Sequence, residues 1–260
     1  MKFKWLMPSL GVLMLAIILA SCTSTQQVIV QGAGATFYEG LDLLNSKKFE
    51  KAREEFNIVV KQYPASAYAD SAQFYLAETY YKTDEYLTAA FEFSNVTRNY
   101  PSSRLVPEAR FRIAECYAAL SPRPQLDQDN TKKAIEAFQS FIDYYPDSPL
   151  VTKAEQEITT LRNKLALKNL EIAQLYMIMG YYRAAVVYYD VILDKYHDSE
   201  IADKAAIGKV KALIKRHRDS EARVALRHFY DSFPNSPLVS EANSLAHKLG
   251  FTADKAGSLN

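Results

Sequence analysis

The sequence has few of the residues that build catalytic and metal centres. Its 260 residues include two cysteines and four histidines, and the histidines lack metal-ligand spacing with cysteines or carboxylates. A glycine-rich phosphate loop and a nucleophile-elbow sequence are also missing. The sequence therefore predicts a protein that is not an enzyme and that binds neither a metal nor a cofactor.

An excess of basic charge is lacking too. The 31 Lys and Arg residues are balanced by 30 Asp and Glu residues, which gives a formal net charge of +1 at pH 7. Domains that bind nucleic acid usually present a strongly basic surface. The charge balance therefore argues against nucleic acid as a partner.

A run of apolar residues long enough to span a membrane is also missing, although a shorter run lies at the amino end. Residues 5–20 are mostly apolar, follow Lys2 and Lys4, and precede small residues and Cys22. The run is shorter than the ~20 residues of a transmembrane helix, and its flanks are typical of a cleaved export signal. We predict a signal peptide at residues 1–21 and a flexible polar tether at residues 22–36.

The sequence Leu19-Ala20-Ser21-Cys22 resembles the bacterial lipobox. This resemblance implies cleavage before Cys22 and attachment of lipid to it, with the mature protein anchored in the outer membrane and facing the periplasm. An ordinary export signal followed by an unrelated cysteine is the alternative. Since Cys116 is then the only other cysteine, no intramolecular disulfide can form, and we expect Cys116 to be a buried, unreactive side chain.

The chain is organised around a short turn motif that occurs five times. Each copy has an aromatic residue, then proline or histidine, then one variable residue, then serine. The aromatic and serine residues are Tyr63 and Ser66, Tyr100 and Ser103, Tyr145 and Ser148, Tyr196 and Ser199, and Phe233 and Ser236. Alanine always stands eight residues after the proline position (Ala72, Ala109, Ala154, Ala205, Ala242) and twelve residues before it (Ala52, Ala89, Ala134, Ala185, Ala222). Such fixed spacing identifies a repeat protein.

The motif has a direct physical meaning. Proline cannot continue a helix and pushes the preceding residue out of the helical region, whereas serine is a good helix N-cap. The motif therefore predicts that one helix ends at the aromatic residue and that the serine caps the next helix. The alanines allow close approach of two helices, so each unit is predicted to be a helical hairpin that buries its apolar face by stacking on its neighbours.

The first unit resembles a tetratricopeptide repeat, because Gly40, Ala52, Phe56 and Pro64 fall where that family favours these residue types. The resemblance implies an all-α, right-handed superhelical solenoid. We predict five tetratricopeptide-like helical hairpins with a C-terminal capping helix. The predicted boundaries are residues 37–147 for repeats one to three, 148–249 for a long connecting helix, repeats four and five and the capping helix, and 250–260 for a loose tail.

Two segments depart from the regular repeat. Residues 121–129 contain two prolines and several polar residues, which predict an inserted loop. Residues 151–179 contain neither proline nor glycine and have apolar residues at helical spacing, which predicts one long helix of roughly 45 Å at 1.5 Å per residue. A break near residues 165–168 is the alternative.

The combination of lipobox, five repeats, inserted loop and long helix resembles the BamD-type lipoproteins of the outer-membrane β-barrel assembly machinery. The most telling segments are LDQD at residues 126–129, LRNKLA at 161–166 and GYY at 180–182. The resemblance implies a non-enzymatic scaffold at the outer membrane. It further implies that the carboxy-terminal half binds POTRA domains of a BamA-type barrel protein, and that the amino-terminal half receives terminal strands of unfolded outer-membrane proteins.

The first candidate binding site is a groove on the first helices of repeats one to three. Alignment on the fixed alanines makes three phenylalanines equivalent, and an aromatic ladder beside polar residues could hold an extended peptide. The alternative is that these rings belong to the core. The groove candidates are Phe37, Phe74, Glu78, Tyr81, Phe111, Arg112 and Glu115.

The second candidate site is a basic stretch near the carboxy terminus. Residues 204–227 contain eight Lys or Arg residues against Asp219 and Glu221, and such a surface would orient association with an acidic partner. A solvated helix face without a partner is the alternative. The docking candidates are Lys215, Arg216, Arg218, Arg223 and Arg227.

Two other functions are alternatives to the assembly role. Division scaffolds of the CpoB type have repeats with similar turns, but normally have a non-lipid signal and an amino-terminal coiled coil. Nutrient-uptake lipoproteins of the SusD type carry large glycan-binding loops, for which this chain has no room.

Overall fold

The structure is a computed structural model that describes residues 32–250. Every regular element in this range is an α-helix, and none of these helices is both long and apolar enough to span a membrane. The helices are α1 (Ala33–Asn45), α2 (Phe49–Gln62), α3 (Ala69–Lys82), α4 (Tyr86–Asn99), α5 (Val106–Ala119), α6 (Asp129–Tyr144), α7 (Val151–Ile178), α8 (Tyr182–Lys195), α9 (Ala202–Lys215), α10 (Asp219–Ser232) and α11 (Val239–Lys248). The predicted signal peptide, Cys22 and residues 251–260 of the predicted tail lie outside the described range.

The helices form five hairpins that stack in chain order. Each helix packs on its neighbours in sequence, from α1 with α2 to α9 with α10, and α11 covers the end of the last hairpin. Clusters of buried apolar side chains follow the hairpins along the stack. This arrangement confirms the predicted all-α, tetratricopeptide-like solenoid with a C-terminal capping helix.

The first and second helices of the hairpins form two different faces of the solenoid. First helices of neighbouring hairpins touch directly, as α1 does with α3, α5 with α7, and α7 with α9. Second helices of neighbouring hairpins, such as α8 and α10, make little direct contact within the described range. Because neighbouring helices are closer on the first-helix face, that face is the concave one and the second-helix face is convex.

The fixed alanines lie where helices cross, and all ten are fully buried. Gly40 has the same purpose in α1, since a Cβ atom at this position would lie 2.7 Å from the ring of Phe56 in α2. Larger side chains at these positions would push the paired helices apart, because protein interiors are close-packed. The spacing seen in the sequence is therefore set by the distance between packed helices.

The turn inside four of the hairpins contains a residue in the left-handed conformation. The amide N–H of the residue that follows it bonds to a carbonyl five residues back, as in Glu85 N to Tyr80 O at 2.9 Å. This is the Schellman arrangement of a helix C-terminus. The left-handed residues are Lys47, Asp84, Gly180 and His217, with φ between 58° and 77°.

The predicted role of serine in the turn between hairpins is wrong. The N-cap position falls two residues later, so that α5 is preceded by Leu105 rather than by Ser103. The Ser103 hydroxyl instead accepts the amide N–H of Leu105 at 3.1 Å and donates to Asp70 of the preceding hairpin at 2.6 Å. Ser236 repeats this arrangement with Asp203. Ser103 and Ser236 therefore tie their turns to the first helix of the preceding hairpin.

The long helix is uninterrupted. α7 contains 28 residues and has no break at residues 165–168, which gives a length of about 42 Å at 1.5 Å per residue. Its first half contributes Ala154 and Leu161 to the core of repeat three. Its second half contributes Ala166 and Leu170 to the core of repeat four.

The inserted loop between α5 and α6 lies along α7. Lys168 Nζ donates to Leu126 O at 2.6 Å, and Gln125 Nε2 donates to Glu171 Oε2 at 2.8 Å. The loop is therefore fixed against the second half of the long helix, although its sequence indicated only a polar insertion.

The first helix begins earlier than predicted. α1 begins at Ala33, whereas the predicted tether extended to residue 36. Thr36 is only 3% exposed, so the end of that tether belongs to the first hairpin. Gly34 is needed for close packing there, because a Cβ atom would lie 3.0 Å from the ring of Tyr68.

Candidate functional site

The structure places the three predicted groove phenylalanines in the core. Phe37, Phe74 and Phe111 are 6%, 4% and 2% exposed. Each ring lies against a phenylalanine of the second helix of its own hairpin, at centroid distances of 6.0, 5.2 and 5.4 Å. The prediction that these rings line a peptide groove is therefore wrong. The position that these rings share in the repeat faces the second helix of the same hairpin. Each ring therefore fills the space between its two helices.

The polar groove candidates do come together, on the first-helix face. Arg112 Nε of α5 lies 2.9 Å from Glu78 Oε1 of α3, and Arg112 Nη1 lies 2.9 Å from Glu115 Oε2. Lys153 Nζ of α7 lies 2.6 Å from Glu115 Oε1. We call these four residues the first-helix ion network. It joins the first helices of repeats two, three and four.

Lys153 is not among the site residues that the sequence predicted. It immediately precedes a fixed alanine, whereas Glu78 and Glu115 stand six residues after theirs. Alignment of the repeats on these alanines does not bring Lys153 next to Glu115, and only the packing of α7 on α5 does so.

Burial and the neighbouring charges together shift the pKa values of the network residues. Burial raises the pKa of Glu78 above its usual value, against the opposing effect of Arg112. Burial alone would lower the pKa of Arg112, but the carboxylates of Glu78 and Glu115 outweigh it and raise that pKa. The Arg112 guanidinium also lies 5.5 Å from the ring centre of Tyr81, and burial raises the pKa of Tyr81 to about 12. Tyr81 is therefore a neutral phenol at physiological pH.

The pairing within the network limits what the concave face can bind. Arg112 is committed to two carboxylates, so it does not offer an unpaired cation to a peptide carboxylate. Lys153 is the most exposed member, with 52% of its side chain accessible, compared with 8% for Glu78 and 12% for Glu115. A ligand on this face therefore meets the Lys153 ammonium before the carboxylates.

Cys116 lies next to Glu115 in α5 and is fully buried. Burial raises the pKa of its thiol to about 12, and a thiol in that state is unreactive at neutral pH. The prediction of a buried, unreactive Cys116 is confirmed. Among residues 32–250 there is also no group of His, Cys, Asp and Glu side chains that could hold a metal ion.

One of the predicted docking residues is occupied inside the protein. Arg223 donates to the carbonyl oxygen of Leu249 from Nη2 at 2.7 Å and from Nε at 3.1 Å. These bonds hold the end of the capping helix α11 on α10. Arg223 nevertheless stays exposed, so its presentation to a partner remains a prediction.

The other basic candidates lie around the end of α9 and in α10. Lys215, Arg216 and Arg218 are close together at the turn between the two helices, and we call them the basic turn. Arg218 pairs loosely with Glu221 at 3.4 Å, and both side chains are more than half exposed. Arg227 is half-buried in α10. Of the five docking candidates, Lys215, Arg218 and Arg223 are exposed, whereas Arg216 and Arg227 are partly buried.

Comparison with known proteins identifies relatives over most of the chain. A family model described as "YfiO: Outer membrane lipoprotein" matches residues 31–212. The outer membrane protein assembly factor BamD of Rickettsia prowazekii is 24% identical over 247 residues, which cover 94% of this chain and 98% of that protein. The factor of the same name from Vibrio cholerae is 24% identical over 206 residues, covering 75% and 85%.

Solved structures with a similar arrangement are repeat proteins. The TPR2AB domain of yeast Sti1 has a TM-score of 0.43 at 17% identity and covers 87% of this chain and 93% of that one. TTC0263, a tetratricopeptide protein of Thermus thermophilus, has a TM-score of 0.36 at 15% identity and covers 83% and 100%. The family model spans the first four hairpins and most of α9, the first helix of the fifth. This chain belongs to the YfiO family of outer membrane lipoproteins.

Proposed function

We propose that this protein is a non-enzymatic assembly factor that helps β-barrel proteins fold and insert into the outer membrane. The observation that carries the proposal is the extent of one alignment. The assembly factor of R. prowazekii aligns over 94% of this chain, so repeats on both sides of α7 have counterparts in it. A stack of hairpins offers extended surfaces, which suits a scaffold that holds other proteins.

The proposed location is the periplasmic side of the outer membrane, with lipid on Cys22 as the anchor. Membership of an outer membrane lipoprotein family and the lipobox support this location. Replacement of Cys22 by Ser should abolish labelling with radioactive palmitate and move the protein out of the membrane fraction. Retention in the membrane without label would contradict the proposed anchor.

The concave face of repeats two to four is the proposed receptor for the terminal strands of unfolded barrel proteins. The burial of Phe74 and Phe111 moves this role to the polar residues around the first-helix ion network. Lys153 is its exposed cation, and Tyr81 contributes a neutral hydroxyl group that can donate and accept hydrogen bonds. Charge reversal in Lys153→Glu should weaken binding of a terminal-strand peptide, whereas Lys132→Glu, an exposed change elsewhere, should not.

The basic turn is the proposed docking surface for the POTRA domains of the central barrel protein. Three adjacent cations at one turn would steer and orient an acidic partner surface more than they would add affinity. The triple variant Lys215→Glu, Arg216→Glu and Arg218→Glu should reduce recovery of that complex from solubilised membranes. The control is Lys48→Glu, Lys51→Glu and Lys133→Glu, which changes the charge equally at exposed sites in repeats one and three.

Depletion of the protein tests the proposed function as a whole. We expect the amounts of many outer-membrane barrel proteins to fall together while soluble periplasmic proteins stay constant. A defect confined to cell division, or to growth on one nutrient, would contradict the proposal and favour a CpoB-type scaffold or an uptake lipoprotein. Co-purification of a barrel protein with several POTRA domains would agree with the assembly role.

A further inference from the structure

The convex face has an open trough between repeats four and five. The trough has a volume of about 710 Å³ and lies between the second helices α8 and α10, above α9. Its lining includes residues of α10 from Glu221 near the beginning to Ser232 at the end, which is roughly 17 Å at 1.5 Å per residue. It is therefore elongated, with the length of about three helical turns.

The trough exists because side chains that fill the same place in other repeats are missing. In repeat two, Gln73 follows the fixed alanine of α3 and donates to Glu92 Oε2 of α4 at 2.7 Å. The equivalent residues of repeat five, counted from the fixed alanines, are Ala206 and Ala225. The methyl groups of Ala206 and Ala225 are too short to fill the space that the Gln73 amide and the Glu92 carboxylate fill in repeat two.

Repeat three closes its gap by different means. Arg110, which is equivalent to Ala206, places its guanidinium 4.8 Å from the ring centre of Tyr144. The residue equivalent to Tyr144 in repeat five is Ser232. Two unrelated pairs thus cover the gap in repeats two and three, whereas small residues stand at all of these positions in repeat five.

The floor of the trough is apolar. Leu213 and Phe229 form its buried base, Val186 and Leu193 form its α8 wall, and Val224 stands on the α10 side with 53% of its surface exposed. An exposed apolar channel of this length favours a ligand that can cover it with apolar side chains.

The rim of the trough is acidic. Asp190 and Asp194 of α8 and Glu221 of α10 line it. Lys209 pairs with Asp190 at 2.6 Å, and Arg218 at the start of α10 pairs loosely with Glu221 at 3.4 Å, so the three carboxylates exceed these two cations by one. The residues at the corresponding positions of the gap between repeats one and two are Asn57, Lys61 and Thr88, and those between repeats two and three are Ser94, Arg98 and Lys133. Those between repeats three and four are Gln139, Asp143 and Ala184, so the open gap has the most carboxylates at these positions.

We propose that this trough is the docking site for an amphipathic helix of a partner protein, whose apolar face fills the trough and whose Lys or Arg side chains meet the acidic rim. A helix laid into an apolar groove between two helices is a common mode of peptide recognition. The length of the trough fits three turns, and the rim selects a cationic partner over an anionic one. This interaction goes beyond the proposed assembly function, because it uses the convex face and a different partner chemistry from the basic turn.

A defined probe tests the site on the full-length protein in phosphatidylcholine nanodiscs, with empty nanodiscs as the blank. The probe is a fluorescein-labelled 14-residue peptide with leucines at helical spacing and lysines along one edge. Its twin has glutamate for every lysine. Fluorescence anisotropy should show saturable binding of the lysine peptide, and about tenfold weaker binding of the glutamate twin, since like charges at the rim repel. Equal binding of the two peptides would overturn the proposal.

Refilling the gap provides the decisive variant. Ala206→Gln with Ala225→Gln places uncharged side chains where repeat two has Gln73 and Glu92, and it should weaken the lysine peptide about tenfold, since the apolar floor is covered without a change in charge. The control, Ser220→Gln with Ser240→Gln, adds the same side chains at exposed positions of α10 and α11 and should stay within about twofold. Unchanged affinity in the refilled variant would overturn the proposal.

Two further measurements keep the test independent of folding. If the refilled variant loses its helicity, Val224→Lys changes an exposed side chain on the trough wall and should itself weaken the lysine peptide about fivefold. In cells, a photocrosslinker at Val224 should attach to a basic amphipathic segment of a partner. The control is Phe91, the equivalent exposed residue of repeat two, where the gap is closed. Identical crosslinks at the two positions, or crosslinks to lipid alone, would contradict the assignment.

Discussion

Repeats two and five have the same backbone plan but fill the space beside their second helices differently. Both have fully buried alanines at the fixed positions, a left-handed residue in the inner turn and a fully buried phenylalanine in the second helix, although Phe93 stands four residues after its fixed alanine and Phe229 stands seven after its own. Repeat two then closes its convex gap with Gln73 and Glu92, whereas repeat five leaves it open.

The comparison separates two kinds of position in the repeat. The fixed alanines set the distance between helices, so they cannot vary without moving the backbone. The positions next to them on the convex face carry no such constraint, because either a polar pair or a trough is compatible with the same helix packing. A repeat can therefore gain or lose a binding surface by changing two side chains.

The largest expected effect tests the fully buried phenylalanines of the two second helices. Phe93→Ala should cost about 4 kcal/mol of unfolding free energy, because the deleted ring leaves a cavity between packed helices. Phe229→Ala should cost about 1 kcal/mol less, since its cavity opens into the trough and water can enter it. Urea unfolding of both variants in one buffer measures the difference. Equal losses would mean that the open trough does not reduce the energetic cost of a cavity in the core of repeat five.

The next effect tests the first-helix ion network on the opposite, concave face. Arg112→Met removes the partner of a buried carboxylate and should cost about 3 kcal/mol at pH 8, at the lower end for buried pairs because Arg112 keeps a quarter of its exposure. The pKa of Glu78 is already raised by burial, and loss of the Arg112 charge raises it further.

The raised pKa of Glu78 determines how the stability changes with pH. A raised carboxyl pKa in the folded state means that protonation favours folding, so the stability from Glu78 is present at low pH and is lost as pH rises through its folded pKa. The loss caused by Arg112→Met should therefore be smaller at pH 5 than at pH 8. Thermal unfolding at the two pH values measures this, and a loss that is independent of pH would show that Glu78 stays charged throughout.

A smaller loss of stability, equal in the two repeats, is expected at the serine–aspartate bonds that both repeats have. Ser103→Ala and Ser236→Ala each remove a hydroxyl that links Asp70 or Asp203 to the next turn. Each should cost about 1–2 kcal/mol, because the acceptor is a charged group. Unequal losses in parallel unfolding experiments would mean that the turns differ despite the same bonds.

The smallest effect is a gain in stability at the inner turns. His217→Gly should raise stability by about 1 kcal/mol, since glycine adopts φ of 58° without strain, or roughly 2–4 °C in Tm. Asp84→Gly should gain less, because Asp84 also accepts the hydroxyl of Tyr86 at 2.5 Å. Calorimetry on both variants checks the order. A larger gain at residue 84 would show that this hydrogen bond contributes nothing.

The parts of the fold that repeat were predictable from sequence. The ten alanines and the aromatic-proline turns located the hairpins, and the absence of proline and glycine from residues 151–179 indicated the long helix. These features follow from local rules of helix geometry. The N-cap prediction for Ser103 also used local rules, and it was wrong for that reason. The bond from Ser103 to Asp70 reaches back to the preceding hairpin, and local capping rules do not include such a contact.

The candidate sites were less predictable, because they depend on which side of a helix faces a neighbour. Phe74 and Phe111 were aligned correctly but lie in the core rather than on the surface. Lys153 joined the ion network only through the packing of α7 on α5. The trough depends on the absence of bulk at Ala206 and Ala225, and its only sequence signal is a comparison with Gln73 and Glu92 at the same repeat positions.

The continuity of α7 has a consequence for how the protein folds. Hairpin repeats make mostly local contacts, so repeats one to three and repeats four and five could each nucleate quickly on their own. One half of α7 completes the core of repeat three and the other half that of repeat four. Once a helix has nucleated, adding residues to it is favourable, so helix formation that starts in either half extends into the other. α7 thereby makes the two ends of the solenoid kinetically dependent on each other, and unfolding of one end should hasten unfolding of the other.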